Sequence, residues 1–386
     1  MFKGNLGIKI AFLIILFFTT CGFAQTKNKN IIKVALLDTP YNEMPLNLSL
    51  ISEYQKAYLS GIETAAHVAR KYNIEIIYKP FFYGEGSLDI LDETPKIQDW
   101  QADLVIGPSS SDQFTLLRNA LPNVMVLSSY ASGKTLQTLP KNFYSIFLPD
   151  NQIMTLLAEH IHKKFPTKNI YIIVQADCKQ CVDVSKLFTT SFNKASPSRK
   201  ITETKVILDH INSIDSKKLM LGHENDVTLI FNLTYYAYNE LVKRIAQSFP
   251  NKNLIFFSDQ DNWGGEANHN AKTTNTWTYE SYRIGPLLAD NSLPDYKNFS
   301  KAYFSIYQSK PKDGVAYMTY ITVMSAIEAL NKFPTKNENK SIREKILNSY
   351  VEAIKKNSNW FRINNYGVYE LTPQGEVLAE KLPLPN

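Results

Sequence analysis

The sequence predicts an α/β protein built from two doubly wound parallel-sheet units. Short apolar runs without polar alternation, typical of parallel strands covered on both faces, alternate with longer stretches of helical spacing. The alternation restarts at Leu148-Pro149-Asp150, so the chain divides into two similar halves, although these share no clear sequence repeat. With 386 residues, of which 44% are hydrophobic and 20% charged, the chain is long enough to form two cores.

Residues 1–24 have the features of a secretory signal peptide and are predicted to lie outside this fold. Lys3 and Lys9 flank the start of an apolar run at 8–18 that is too short to span a membrane. Gly22-Phe23-Ala24 then offers small residues to a signal peptidase. The rest of the chain has no second apolar run of spanning length, so we expect the mature protein to be soluble outside the cytoplasm.

Two ways of processing this signal stay open. Cleavage before Gln25 is the main prediction, and acylation of Cys21 is the alternative, although Phe18-Thr19-Thr20 forms a poor lipobox. Removal of the signal lowers the formal charge from +6 to +4, because two lysines and no acidic residue leave. Since no Lys/Arg cluster interleaved with aromatic residues follows, nucleic acid is not expected as a partner.

The first half is predicted to contain four strands, a further extended piece and the helices between them. A helix at 49–72 places apolar residues such as Tyr58 and Ile62 at helical spacing, and a shorter helix lies near Lys96. The strands are expected at 31–37, 74–78, 104–106 and 124–127, with the extended piece at 143–147.

A run of serines follows the third predicted strand. Gly107-Pro108 ends this strand, Ser109 to Ser111 follow, and a helix is predicted at 112–121 with Asp112 also placed to cap it. Hydroxyls and unpaired backbone N–H groups then collect at a helix N-terminus beyond the carboxyl end of a strand, as in an anion-binding site. Ordinary helix capping is the alternative interpretation.

The second half continues the alternation and ends in a hairpin. After the strand at 254–257, a loop leads to an extended piece at 277–284, and the turn Thr372-Pro-Gln-Gly375 separates two short strands at 369–371 and 376–378. The strands before the loop are expected at 170–174, 205–208 and 227–231, and the helices of this half at 152–164, 182–192, 216–222, 238–249, 295–308, 314–332 and 341–354.

Cys178 and Cys181 are the cysteines that remain after removal of the signal. An even count in an oxidising compartment predicts a disulfide. The alternative is a redox site, because Cys-x-x-Cys after a strand and at the start of a helix resembles a thioredoxin site. Asp177 stands where thioredoxin-like proteins usually place an aromatic residue. No second Cys or His pair lies at ligand spacing, so we expect no metal and no cofactor.

The order of the elements and several motifs together resemble the type I periplasmic substrate-binding proteins of ABC importers. The resemblance is to the branch that binds leucine, isoleucine, valine and amides, and it covers nearly the whole chain after the signal. The motifs that carry it are Ile32-Lys-Val-Ala35, Val105-Ile-Gly-Pro-Ser-Ser110, Ser128-Ser-Tyr-Ala-Ser132 and the Tyr366-Gly-Val-Tyr…Gly-Glu-Val377 tail.

The resemblance implies two lobes that are joined by a hinge and close on a ligand between strand carboxyl ends. The first lobe would comprise residues 25–147 plus 285–358. The second lobe would comprise residues 148–284 plus 359–386. Three crossings of the chain between the lobes would form the hinge.

The resemblance also implies a set of ligand-binding residues. A carboxylate would be held in the first lobe by serine hydroxyls and backbone N–H groups, an ammonium by an acid after the strand at 254–257, and an aromatic residue after the strand at 227–231 would cover the ligand. The turn after the first strand lacks the usual Gly-rich loop and offers Tyr41 instead. The predicted ligand-binding residues are Ser109, Ser110, Ser128, Ser132, Tyr41, Tyr236, Asp259 and Asp261.

The leading hypothesis is a non-catalytic, monomeric binding protein that captures an amino acid or related carboxylate for an ABC permease. The sequence has no Gly-x-Ser-x-Gly, no His-Glu-x-x-His and no Gly-rich phosphate loop, so an enzyme is not expected. Two alternatives stay open. One is thiol–disulfide exchange by Cys178 and Cys181, and the other is a sensor or partner-docking protein on the same fold.

Overall fold

In a computed structural model, the chain forms two separate β-sheets, each covered by helices. The fold class predicted from the sequence is therefore confirmed. The structure describes residues 30–38, 48–83, 88–220, 227–233, 235–249, 254–258, 280–287, 294–311, 314–335, 339–357, 360, 363, 365–372 and 375–382. Within these ranges, no helix is both long enough and apolar enough to cross a membrane.

The first sheet has five parallel strands in the order β2-β1-β3-β4-β5. Strands β3, β4 and β5 are buried throughout, which is why they are apolar without alternation, whereas the edge strand β2 is only partly buried. On one face, Val34 packs in the same core as Ile62, while on the other Leu37 packs in the same core as Ile97. The strands are β1 (Asn30–Asp38), β2 (Ile74–Phe82), β3 (Leu104–Ile106), β4 (Met125–Ser128) and β5 (Phe143–Ser145).

Six helices cover the first sheet, and three of them come from late in the sequence. The late helices α8, α9 and α10 return to this sheet, where α8 and α9 contact α1, and α10 contacts β1 and β4. The six helices are α1 (Leu48–Ala69), α2 (Ile90–Asp99), α3 (Ser111–Leu116), α8 (Pro294–Tyr307), α9 (Val315–Lys332) and α10 (Ile342–Lys356).

The second sheet has seven strands in the order β12-β11-β10-β9-β8-β6-β7. Strands β6 to β10 pair in parallel, and the terminal hairpin β11–β12 extends the sheet by antiparallel pairing. The strands are β6 (Asn169–Gln175), β7 (Ile201–Val206), β8 (Val227–Asn232), β9 (Ile255–Ser258), β10 (Glu280–Pro286), β11 (Tyr366–Thr372) and β12 (Gly375–Leu382).

Helices cover both faces of the second sheet as well. Ile172 of β6 packs with Phe188 on one face, and Ile173 packs with Leu241 on the other. Among the described elements, the order of the chain requires three passages between the two layered units, namely between β5 and α4, between β10 and α8, and between α10 and β11. The helices are α4 (Asp150–Lys164), α5 (Lys179–Ala195), α6 (Ser216–Leu219) and α7 (Tyr235–Ser248).

Several predicted elements differ from the observed ones in their bounds, and two of these differences have a clear physical reason. The helix predicted at 112–121 is the short helix α3, which continues as the 3₁₀ turn Leu117–Asn119. The strand predicted at 205–208 is instead β7, which lies at the edge of its sheet and is only partly buried. Because an edge strand need not be apolar throughout, its sequence Ile-Thr-Glu-Thr-Lys-Val lacks the continuous apolar run of a central strand.

Candidate functional site

The serine turn, defined here as Gly107 to Ser111, begins at the carboxyl end of β3. Gly107 has a backbone φ of 96°, and a Cβ atom at this position would lie 2.0 Å from the carbonyl oxygen of Leu37. The peptide bond to Pro108 is cis, and the Gly107 N–H donates to the carbonyl of Leu127 at 2.7 Å. Glycine is therefore required here, because it alone tolerates both the left-handed backbone and the contact with β1.

Ser109 and Ser110 do not act as ordinary helix caps. The Oγ atom of Ser109 lies 2.6 Å from the hydroxyl of Tyr58 on α1. Ser110 has the extended backbone of a capping residue, but its hydroxyl makes no capping hydrogen bond to α3 and the residue is exposed. Asp112, predicted to cap, lies inside the first turn of α3. The exposed Ser110 hydroxyl is thus available at the end of the strand.

Ser111 joins the serine turn to the loop that follows β4. Its Oγ atom accepts the backbone N–H groups of Ser132 at 3.0 Å and Gly133 at 2.8 Å. A Cβ atom at Gly133 would lie 2.8 Å from the Cβ of Ser111, so the two segments are in close contact. This one hydroxyl therefore fixes the position of two of the segments that the sequence predicts at the site.

The hydroxyl of Ser128 forms hydrogen bonds both to the serine turn and within its own loop. Ser128 is fully buried, donates to the carbonyl of Pro108 at 2.7 Å and accepts the N–H of Ala131 at 3.0 Å. These bonds hold the loop against the serine turn. They give Ser128 a structural role, and its predicted contact with a ligand stays a prediction.

Ser132 of the first lobe is hydrogen-bonded to Asp150, a buried residue of the second lobe. Its hydroxyl donates to the carboxylate of Asp150, and its carbonyl accepts the N–H of Asp150 at 2.9 Å. Asp150 begins α4 and is buried, and this burial raises the pKa of its carboxyl group. Ser132 therefore lies where the chain first crosses between the lobes.

Aromatic rings pack around the same crossing. Phe147 lies between β5 and α4, and its ring centroid is 5.8 Å from that of Tyr130 and 6.0 Å from that of Tyr366. Tyr130 belongs to the loop after β4, and Tyr366 begins β11 of the second sheet. The loop that carries Ser132 is thus packed against the crossing as well as hydrogen-bonded to it.

The disulfide turn, Cys178 to Cys181, faces the serine turn from the second lobe. The two Sγ atoms lie 2.03 Å apart, at bonding distance, as the sequence predicts. The Sγ atom of Cys178 also accepts the Cys181 N–H at 3.1 Å and so caps α5. Between the cysteines, Lys179 reaches to 3.9 Å from the Oδ1 atom of Asp112 on α3. This turn therefore approaches the first lobe beside the serines.

The other four predicted site residues lie wholly or partly outside the described residues. Tyr41, Asp259 and Asp261 lie outside the described residues. Tyr236 lies in the first turn of α7, just after β8, and its side chain is also outside the description. Tyr238, two positions further along α7, is buried in the core of the second sheet.

Sequence reasoning missed three residues that shape this site: Tyr58, Asp150 and Lys179. It included Ser111 only as one of the three serines that follow the third predicted strand. Tyr58 was predicted from its helical spacing as a core residue, and its hydroxyl end gives no separate signal. Asp150 lies where the alternation of strands and helices restarts, and this position in the sequence is the signal that could have identified it as a residue between the two halves. Lys179 lies between the cysteines, and nothing in the Cys-x-x-Cys pattern indicates a role for the residues between the two sulfurs.

The two helix-covered sheets of this chain resemble those of solved type I periplasmic binding proteins. The substrate-binding protein LivJ of a branched-chain amino acid transporter from Streptococcus pneumoniae, in complex with isoleucine, has a TM-score of 0.69 at 14% identity, covering 92% of this chain and 100% of its own. The leucine-binding protein LivK from Thermotoga maritima has a TM-score of 0.68 at 14% identity, covering 91% and 99%.

A solute-binding protein of an ABC transporter from R. palustris, in complex with benzoate, has a TM-score of 0.66 at 12% identity, covering 92% of this chain and 98% of its own. No protein-family model and no curated protein matches the sequence. At these identities the likeness establishes the fold, and this chain has the type I periplasmic binding protein fold.

Proposed function

We propose that this chain is an extracytoplasmic solute-binding protein that captures an amino acid or related carboxylate for an ABC importer. The proposal treats the protein as a non-catalytic carrier. The observation that carries it is the polar junction of Ser111, Ser132 and Asp150 at the strand carboxyl ends between the two lobes. Open α/β sheets bind their ligands at such strand ends.

What the structural neighbours bind supports this choice of ligand class. The neighbours include complexes with isoleucine, leucine, benzoate and 3,4-dihydroxybenzoic acid. These four compounds share a carboxylate attached to a largely apolar body. A carboxylate suits hydroxyl and N–H donors such as those of the serine turn, and this supports assigning Ser109 and Ser110 to the carboxylate.

The other site assignments are part of the same proposal. Ser132 and the backbone of the Ser128 loop complete the first-lobe side. Asp259 or Asp261 holds an ammonium group, and Tyr41 and Tyr236 cover the solute. Cleavage before Gln25 releases a monomer into the periplasm, where it delivers its solute to a permease in the inner membrane.

A thermal-shift panel on the chain from Gln25 onward tests the proposal. The panel contains isoleucine, leucine, benzoate, 3,4-dihydroxybenzoate, an amide, a short peptide and a sugar. A ligand at 100 times its dissociation constant stabilises the folded state by about 2.7 kcal/mol, so a binder raises the melting temperature in proportion to the logarithm of its concentration. We expect a shift with carboxylates and none with the sugar. No shift with any compound would overturn the proposal.

Serine-to-alanine variants then test the site. Replacing Ser109 and Ser110 is expected to weaken binding of the compound found in the panel at least about tenfold, which corresponds to about 1.4 kcal/mol. Ser198→Ala is the matched control, because Ser198 is also exposed but lies in the turn between α5 and β7, at the opposite end of the second sheet. Equal affinity in the double variant and the control would refute the assignment of the serine turn.

A further inference from the structure

The disulfide turn is held in place from both sides. Before it, the carboxylate of Asp177 accepts the N–H of Leu208 at 3.3 Å, which ties the turn to the segment after β7. After it, the Sγ atom of Cys178 caps the first turn of α5. The disulfide itself closes a ring of four residues, and Lys179 is the second of them. The backbone of Lys179 is therefore fixed relative to the second lobe.

The side chain of Lys179 forms an ion pair with the opposite lobe. Its Nζ atom lies 3.9 Å from Oδ1 of Asp112, and Asp112 is the neighbour of Ser111 in α3. By contrast, Lys186 on α5 pairs with Asp183 on the same helix at 3.8 Å. The two ion pairs have similar N···O distances and similar exposures. The Lys179–Asp112 pair joins the two lobes, whereas the Lys186–Asp183 pair lies within one helix.

The exposure of the interlobe pair sets its strength. The side chains of Lys179 and Asp112 are 73% and 66% exposed, so water screens their attraction. A pair of this kind changes an equilibrium by a factor of about two to five at most. A contact this weak suits a closure that must reopen, because it biases the closed form without locking it.

We propose that the disulfide turn is a redox-sensitive latch of lobe closure, in which the disulfide presents Lys179 to Asp112 and its reduction weakens this contact. The latch deepens the proposed function, since it regulates how long the lobes stay closed on a solute. Its position beside the serine turn makes it part of the entrance to the site. The cysteines then act as positioning residues, with no bond to the solute.

The redox step is balanced by an external dithiol. Two electrons and two protons pass from the dithiol to the Cys178–Cys181 disulfide, which becomes two thiols, while the dithiol becomes a disulfide. The ring of four residues then opens, and the backbone between the cysteines gains conformational freedom. Lys179 spends a smaller fraction of the time near Asp112, and the closed form is populated less.

Carbodiimide crosslinking tests this latch without any solute. The reagent joins a Lys amine to a nearby Asp carboxyl as an amide with loss of water, and peptide mass spectrometry quantifies each crosslink. The oxidised chain is compared with the chain reduced by dithiothreitol and then freed of reductant under argon. The Lys186–Asp183 crosslink serves as the internal control, since it lies within one helix.

We expect a Lys179–Asp112 crosslink in the oxidised chain and an about two- to fivefold lower yield after reduction, with the control crosslink unchanged. Absence of the interlobe crosslink in the oxidised chain, where the control crosslink forms, would overturn the latch. An unchanged yield after reduction would overturn its redox sensitivity. Because no solute is present, either result leaves the solute-binding proposal standing, and that proposal fails or survives by its own thermal-shift panel.

Two variants keep the test independent of reductants and of folding defects. Cys178→Ser combined with Cys181→Ser is expected to reproduce the reduced chain. Reversing the pair, as Lys179→Asp with Asp112→Lys, is expected to restore an interlobe crosslink that each single change removes. Circular dichroism checks that each variant is folded. A reversed pair that forms no crosslink in a folded chain would count against direct contact between the two positions.

Discussion

Replacing Ser111 by alanine should loosen the junction between the serine turn and the Ser132 loop. The change removes one oxygen atom, which accepts two backbone N–H groups at 3.0 and 2.8 Å. Ser132 is 2% exposed, so water does not readily replace the lost acceptor. Alanine keeps the Cβ atom that contacts Gly133, and the packing of the two segments is otherwise preserved.

The expected cost follows from leaving buried donors without a partner. Each such donor costs about 1–3 kcal/mol. Gly133 is only partly buried, so its N–H recovers some hydration, and we expect a total of about 2–3 kcal/mol in the unfolding free energy. Ser110→Ala is the matched control, because Ser110 is the exposed neighbour without a capping bond, and its replacement should change the unfolding free energy by less than about 0.5 kcal/mol.

Two measurements check this expectation. Urea unfolding followed by tryptophan fluorescence gives the difference in unfolding free energy between the variants. Amide hydrogen exchange reports on the junction itself, and a local loss of about 2 kcal/mol speeds exchange of the Ser132 and Gly133 amides about thirtyfold. If Ser111→Ala matched Ser110→Ala in both assays, the Ser111 hydroxyl would not be the acceptor that holds this loop.

Three further substitutions test other parts of the structure. Gly107→Ala should lower the unfolding free energy by more than about 2 kcal/mol, because its Cβ would meet the Leu37 carbonyl; a melting temperature equal to that of the parent would contradict this. His160 is buried beside Glu380, and burial lowers its pKa. As the pH falls below about 6.5, the imidazole is therefore protonated more readily in the unfolded chain than in the folded chain. Stability should therefore fall as the pH is lowered from 7 to 5.5, and it should fall less steeply in His160→Gln. Urea midpoints that change equally with pH in the parent and in His160→Gln would refute this. Burial raises the pKa of Asp150, so the folded chain binds this proton more tightly than the unfolded chain, and stability falls as the pH rises above about 3.8. Asp150→Asn should therefore raise the urea midpoint at pH 7, and this gain should disappear towards pH 4. A lower midpoint for Asp150→Asn at pH 7 would show instead that the carboxylate stabilises the fold.

The central strands could be predicted from the sequence because burial on both faces leaves a continuous apolar run. Leu104 to Ile106 is the clearest case, since all three residues are buried. The edge strand β7 was misplaced because its partial exposure permits polar residues, and these hide the strand among turn-like sequences. Sequence patterns therefore predict the interior of this fold better than its margins.

The proximity of the turn after β3 and the loop after β4 was predictable, but the role of each serine was not. Parallel strands bring their carboxyl ends to one edge, so the turn after β3 and the loop after β4 had to be neighbours. Which hydroxyl faces the loop depends on local backbone angles, and these place Ser111 against Ser132 while Ser109 contacts Tyr58, 51 positions away. Sequence spacing alone contains no information about such a distant partner.

The polar groups at the junction divide into two sets, those bonded to backbone groups and those that are exposed, and the two sets have different consequences. The hydroxyls of Ser111 and Ser128 are occupied by backbone groups, so changes there should act through loop geometry and stability. The side chains of Ser110 and Lys179 are exposed, so changes there should leave stability nearly unaltered. In the proposed binding protein, exposed groups such as those of Ser110 and Lys179 would lose water when the lobes close on a solute, so changes there should alter solute affinity. A Ser111 variant that lost stability but kept its affinity for the solute would agree with this division.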